Sequence, residues 1–379
     1  MKTFLLAPDS FKESMTAEQA CAAMQRGIVK ALPDAQFIYV PMADGGEGTV
    51  DALVAARNGR KVELDVSGPF IQQKVQSYFG LIENDQTAVI EMALANGIHL
   101  IESSQRNPLL TSTLGTGEII KAALELSVSK IIIGLGGSVT NDAGAGMAQA
   151  LGAKFLDENG QAVQVGGGQL AQIQSIDLSQ LDPRLKSTEI VIASDVNNPL
   201  CGENGASHVF APQKGATSEM VEVLDQNLSH FADLVAQHIG QDFQDIAGAG
   251  AAGGLGFGLM AFAGAKIRSG VEIVIEETGL SEKIDQADYV FTGEGGIDFQ
   301  TKFGKTPFGV AQVAKLFNKP VIAFAGYVGK GIEELYDEGF TAIFGIVDGA
   351  CDLQTALKNG EKNLERCCEN VVRLTEKAT

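Results

Sequence analysis

The stretch Lys2-Thr3-Phe4-Leu5-Leu6-Ala7-Pro8-Asp9-Ser10-Phe11-Lys12-Glu13-Ser14-Met15-Thr16-Ala17-Glu18-Gln19, continued to Leu32 and then Phe37–Met42, decides the class of fold. Lys2–Ala7 is a short apolar run of the kind that makes a strand buried on both faces. Thr16-Ala17-Glu18-Gln19 is a capping box, in which a hydroxyl and a side-chain amide satisfy amides at a helix start, and amphipathic spacing runs from Thr16 to Leu32. A second apolar run follows at Phe37–Met42. The alternation recurs down the chain. Ile131–Leu135, Ile190–Ala193, Tyr289–Thr292, Val321–Ala325 and Ala342–Val347 read as strands, and Gly117–Leu126, Ser218–His238, Lys305–Phe317 and Leu353–Thr375 as helices. Strands alternating with helices predict an α/β fold on parallel sheets.

One region breaks the pattern. Val62–Val66, Val75–Ile82 and Thr87–Met92 give strands separated by turns and no helix, which predicts antiparallel pairing and a change of domain. A second crossing near Glu276–Ser281 makes the first domain discontinuous. The expected architecture is two α/β domains: residues 1–70 with 282–379 forming a flavodoxin/Rossmann-like parallel sheet from both chain ends, and residues 71–281 forming an inserted mixed α/β domain.

Composition narrows the function. The 379 residues carry 28 Lys and Arg against 47 Asp and Glu, a net −19 that repels nucleic-acid backbones and anionic lipid headgroups. Neither nucleic acid nor membrane is expected as a partner. Ile246–Ala265 is uncharged over twenty residues, but seven are Gly and seven Ala, a composition suited to close packing inside a protein. Five cysteines without a C-x-x-C spacing fit a reducing compartment. The apolar run before Pro8 is too short for a signal peptide, so a cytoplasmic location is expected.

Ligands of open parallel sheets bind beyond the carboxyl ends of strands. Five such loops stand out: Ala7-Pro8-Asp9-Ser10-Phe11-Lys12-Glu13-Ser14, Ala43-Asp44-Gly45-Gly46-Glu47-Gly48-Thr49, Gly134-Leu135-Gly136-Gly137-Ser138-Val139-Thr140-Asn141-Asp142-Ala143-Gly144, Ser194-Asp195-Val196-Asn197-Asn198-Pro199-Leu200 and Thr292-Gly293-Glu294-Gly295-Gly296-Ile297-Asp298. Each joins carboxylates to glycines or amides. Phosphoryl transfer needs both, because glycines let backbone amides approach phosphate while Asp and Asn hold Mg²⁺ or orient a hydroxyl.

Other chemistries fit poorly. Gly304-Lys305-Thr306 ends like a Walker A loop, but Phe299 stands where its first glycine belongs. Gly248-Ala249-Gly250-Ala251-Ala252-Gly253 satisfies G-x-G-x-x-G without a preceding strand, so a tightly packed helix is expected there instead of a dinucleotide site. The four histidines form no H-E-x-x-H, and Thr140 replaces the second glycine of a G-x-S-x-G elbow at Ser138. Lys12, in the loop after the first strand of an acidic chain, suits an anionic substrate or transferring phosphate.

Taken in order, the five loops resemble those of the bacterial glycerate kinase family, the one unrelated in fold to P-loop kinases, across essentially the whole chain. Val139 after Gly-Gly-Ser, where a small Ala is more familiar, is a mild departure that leaves the charged positions intact. The resemblance implies ATP-dependent phosphorylation of D-glycerate to 2-phosphoglycerate or 3-phosphoglycerate, with the active site in the cleft between two α/β domains. On that reading Ser10 and Lys12 hold the substrate carboxylate, with Asp44 and Asn197 also binding substrate. Asp195 or Asp44 orients the hydroxyl and accepts its proton, Lys12 acting with them. Gly136, Gly137, Ser138, Asn141 and Lys305 bind nucleotide, and Glu294 and Asp298 carry Mg²⁺. Lys214 is a further available cation. D-Glycerate and ATP are the expected partners, and a homo-oligomer is compatible with the sequence. The competing readings are a kinase of another small hydroxy acid on the same scaffold, and a non-catalytic two-domain anion binder.

Overall fold

The computed structural model describes residues 1–378. Its strands, in chain order, are β1 (Thr3–Pro8), β2 (Gln36–Tyr39), β3 (Arg60–Ser67), β4 (Lys74–Ile82), β5 (Thr87–Glu91), β6 (Lys130–Gly134), β7 (Lys154–Leu156), β8 (Ser175–Asp177), β9 (Glu189–Ala193), β10 (Lys266–Arg268), β11 (Tyr289–Ile297), β12 (Val321–Val328) and β13 (Ala342–Gly345). The chain divides into two compact units. One comprises Met1–Asp44, Asp51–Arg57 and the chain from Ser269 onward; the other comprises Gly45–Val50 and Asn58–Arg268. The divisions thus fall near 58 and 268, against expected boundaries at 70 and 281. Arg60–Ser67 lies in the second unit because it pairs along its whole length with β4.

In the first unit all five strands run parallel, in the order β13-β12-β11-β1-β2. Counted along the chain this is the doubly wound order 2-1-3-4-5, whose switch point lies between β1 and β11. The capping box at Thr16 is present: its hydroxyl accepts from Gln19 N at 3.2 Å, and its amide donates to Gln19 Oε1 at 2.8 Å. The helix it opens, Ala17–Ala31, buries Ala20, Ala23, Met24 and Ile28 in a cluster with Phe4, Leu6, Phe291 and Phe324 of the sheet. Leu364, Cys368, Val371 and Val372 of the helix Gly360–Ala378 complete that cluster. The expected single helix over Leu353–Thr375 is instead two, Leu353–Lys358 and Gly360–Ala378.

The second unit is built on a mixed sheet, β10-β9-β6-β5-β4-β3. β5, β6, β9 and β10 are parallel, while β3, β4 and β5 pair antiparallel, as the helix-free stretch predicted. The residues 246–265 correct the expectation of one packed helix. Ala252, Gly253 and Gly254 all have left-handed backbone angles inside Ala251–Ala263, so the segment turns sharply before its helix continues. Gly253 needs its bare Cα because a Cβ there would lie 2.0 Å from Thr140 O. Among the described residues no helix is long and apolar enough to cross a membrane.

Candidate active site

The switch point of the first unit is where its unusual chemistry sits. Thr292 Oγ1 donates to Ala7 O at 2.8 Å and Asp9 N to Gly293 O at 2.9 Å, tying the end of β1 to β11. Asp9 is thereby carried inward, with 7% of its surface exposed. Its carboxylate accepts from Ser10 N at 2.6 Å and from the hydroxyl of Thr306, the first residue of the helix Thr306–Leu316. After Ser10 the chain makes a tight turn, Phe11 N donating to Met15 O at 2.9 Å, and this leaves Lys12 exposed. Glu294, on β11, accepts from Lys305 Nζ at 3.2 Å, and Lys305 also donates to Gly296 O at 2.9 Å.

These groups act on one another. Burial first, then the negative charge of Asp44, pushes Asp9 up to about 8, against the two hydrogen bonds that favour its charged form; Glu294 adds a smaller upward push. Burial raises Glu294 to about 7, opposed by Lys305 and, more weakly, Lys12, and reinforced by Asp44. Burial and the negative charge of neighbouring carboxyl groups both favour the neutral forms of Asp9 and Glu294. The cluster therefore sets two carboxyl groups of raised pKa beside Asp44, with Lys305 bonded to one of them.

In the second unit, the loops after the neighbouring strands β6 and β9 form another concentration of candidates, because Gly134 and Ala193 are paired in the sheet. Gly45–Val50 is packed over these strand ends. Gly45, at φ +89, would place a Cβ 2.6 Å from Ala193 O, and a Cβ on Gly136 would lie 2.7 Å from the Cα of Gly46. Gly136 and Gly137 are exposed, whereas Ser138 and Asn141 face inward. Ser138 Oγ accepts from Lys214 Nζ at 2.8 Å. Asn141 Oδ1 accepts from Ser207 Oγ at 3.2 Å, while its buried Nδ2 has no hydrogen-bond partner. Asp142 accepts from Thr113 N and Oγ1 and from Gly144 N and Gly146 N, so it knots the loop to the helix that follows. Asp195 is half-buried and Asn197 exposed in the loop after β9.

Ser10, Lys12, Asp44, Glu294, Asp298 and Lys305 thus belong to the first unit, and Gly136, Gly137, Ser138, Asn141, Asp195 and Asn197 to the second. Asp298 is engaged locally: it caps the short helix Phe299–Lys302 and accepts from Gln300 N at 2.8 Å. Among the described residues no three His, Cys, Asp or Glu side chains converge as a metal cage. Asp9 and Thr306 are additions to the expected set. Both lay in quoted segments, Asp9 directly after a strand and Thr306 in the failed Walker ending, so the strand-end rule could have found the first.

A family model for the glycerate kinase family matches residues 4–376. The chain belongs to the glycerate kinase family. Glycerate kinase of Haemophilus influenzae is 50% identical over 371 residues, covering 98% of each chain. Glycerate 2-kinase of Escherichia coli K12 is 47% identical over 367 residues, 97% of this chain and 96% of that one. A crystal structure from Salmonella typhimurium LT2, provisionally assigned as glycerate kinase 2, superposes with a TM-score of 0.87 at 46% identity, covering 100% of this chain and 99% of the other. This glycerate kinase family member is accordingly an enzyme of the transferase class, its two-unit α/β fold is that of a solved relative, and its family implies a nucleotide substrate.

Proposed function

We propose that the enzyme transfers the γ-phosphoryl group of ATP to the 2-hydroxyl of D-glycerate, giving 2-phosphoglycerate and ADP. The observation that carries the proposal is the cluster in which Asp44 and Glu294 act electrostatically on buried Asp9, with Lys305 bonded to Glu294 and Lys12 close enough to act on it. The choice of hydroxyl follows the relative named glycerate 2-kinase.

In this reading Ser10 and exposed Lys12 hold the substrate carboxylate. Asp44 accepts the hydroxyl proton as the new O–P bond forms and the bond from the γ-phosphorus to the bridging oxygen of ADP breaks. The neighbouring carboxyl groups, one of them protonated, keep Asp44 from facing two full negative charges. Asp195 and Asn197 orient the substrate hydroxyls. The exposed backbone of Gly136 and Gly137 receives nucleotide phosphate, with Ser138 and Asn141 shaping that loop from within, and Lys305 supplies positive charge. Mg²⁺ fits these residues as a companion of the nucleotide, because phosphate and water supply most of its ligands and one or two carboxylates suffice. Glu294 would make that contact, with Asp298 held in its cap, and the ion would offset charge on the phosphates.

The test is ADP release from ATP and Mg²⁺ with and without D-glycerate, the product's phosphate position being read by phosphorus NMR. Glycerate-dependent ADP with a 2-phosphate signal is expected. A 3-phosphate would overturn the choice of hydroxyl, and glycerate-independent ADP release would overturn the transfer itself.

A further inference from the structure

Lys214 is 1% exposed and belongs to the most deeply buried side chains of the protein. Lysines are rarely buried so completely without a carboxylate partner. The polar partners here are neutral: Nζ donates to Ser138 Oγ and to Thr140 O, both at 2.8 Å. Burying this group costs more than two such bonds return, so packing stability alone would be served better by an apolar side chain. We infer that Lys214 is a positioning residue that fixes the glycine-rich loop 134–142, and through it the exposed Gly136–Gly137 backbone.

The geometry gives the lysine a rigid base and the loop a second anchor. Lys214 ends the short turn Pro212–Lys214, where proline restricts the backbone and Gly215, at φ +93, would place a Cβ 2.4 Å from Arg106 O. The loop is also tied elsewhere: Val139 N donates to Asn96 O at 3.1 Å and Ile98 N to Gly137 O at 2.8 Å. Ser138 and Thr140 therefore hang on Lys214 while Gly137 and Val139 hang on the 96–98 segment. Alternate residues are held by different anchors, while Gly136 and Gly137 stay exposed. Burial lowers the Lys214 pKa to about 7, opposed by the charge of Asp142, and a neutral amine has two N–H groups for its two acceptors.

The consequence for catalysis rests on assigning this loop to the nucleotide, and the experiment separates the two claims. Hydrogen exchange across 134–144 is measured on the unliganded full-length enzyme for wild type, Lys214→Met, Ser138→Ala and the double variant, followed by KM values for ATP and D-glycerate. Lys214→Met is expected to speed loop exchange about tenfold or more while β1 is unaffected, with Ser138→Ala acting the same way more weakly. The double variant should be no worse than Lys214→Met, because Ser138→Ala removes only one of the two contacts that Lys214→Met already breaks. KM for ATP should rise with kcat and the glycerate KM held within about twofold. Unchanged loop exchange in Ser138→Ala, which removes a single hydroxyl, would overturn the positioning role even if Lys214→Met failed to fold. Faster exchange with the glycerate KM moving instead would keep the positioning role and overturn the nucleotide assignment.

Discussion

Thr306 donates its hydroxyl to the buried carboxyl group of Asp9 across 297 residues of chain, joining the start of one helix to the end of β1. The bond holds Asp9 in the position where Asp44 and Glu294 act on it. Thr306→Val keeps the shape and removes the donor. Stability should fall by about 1–2 kcal/mol in urea unfolding, because a buried acceptor loses its partner. The same change should raise the Asp9 pKa further, since that hydrogen bond favours the charged form. An unchanged urea midpoint would show that the bond contributes nothing.

Asp9 also sets a pH dependence of stability. An unfolded Asp titrates near 3.8, whereas folded Asp9 keeps its proton to about 8. Its contribution is fully present below the unfolded value and is lost progressively as pH rises through the folded one. Asp9→Asn, which cannot ionise, should lose less stability than wild type between about pH 5 and pH 8. Parallel urea midpoints for the two proteins across that range would contradict the raised pKa.

Asp44 and Asp195 were interchangeable as bases on sequence alone, and substitution separates them. Asp44→Asn should lower kcat by about 10²–10⁴-fold, the usual yield of a general base, with little change in the glycerate KM. Asp195→Asn should mainly raise the glycerate KM. The reverse split would exchange their roles.

How much of this was legible follows from which signals are local. Buried apolar runs and the Thr16 capping box report on neighbouring residues, so the α/β class, the antiparallel stretch and most strands could be read directly. The kink at Ala252–Gly254 could not, because Gly253 is required by Thr140, more than a hundred residues earlier. The break between Lys358 and Gly360 hides in continuous helical spacing. At the site, strand-end loops marked the acidic and glycine-rich segments. What they left out was direction: Ser138 and Asn141 face inward, and Asp9 is buried by partners from both ends of the chain.

Gly253 gives that long-range constraint a direct test. Gly253→Ala must hold a side chain at φ +68 with its Cβ 2.0 Å from a carbonyl oxygen, so something in the loop has to move. A loss of about 3 kcal/mol or more is expected, from left-handed strain and overpacking together. Gly160→Ala, at φ +72 with nothing within 4 Å of the added Cβ, is the control for strain alone and should cost only about 1–2 kcal/mol. Equal losses in the two variants would mean that Thr140 can yield.

Lys305 opposes the burial that raises Glu294, and the sign of its removal is fixed. Its ammonium lowers a carboxyl group that burial has already raised to about 7. Lys305→Met should therefore move the Glu294 pKa upward. If ionised Glu294 serves nucleotide binding, the acid limb of kcat/KM for ATP shifts to higher pH, by about one unit for the loss of a single close charge. Lys305→Arg, which keeps the charge, should leave the limb near its original position. A limb that stays in place in Lys305→Met would remove Glu294 from the groups controlling that profile, and a limb that moves downward would reverse the electrostatic argument.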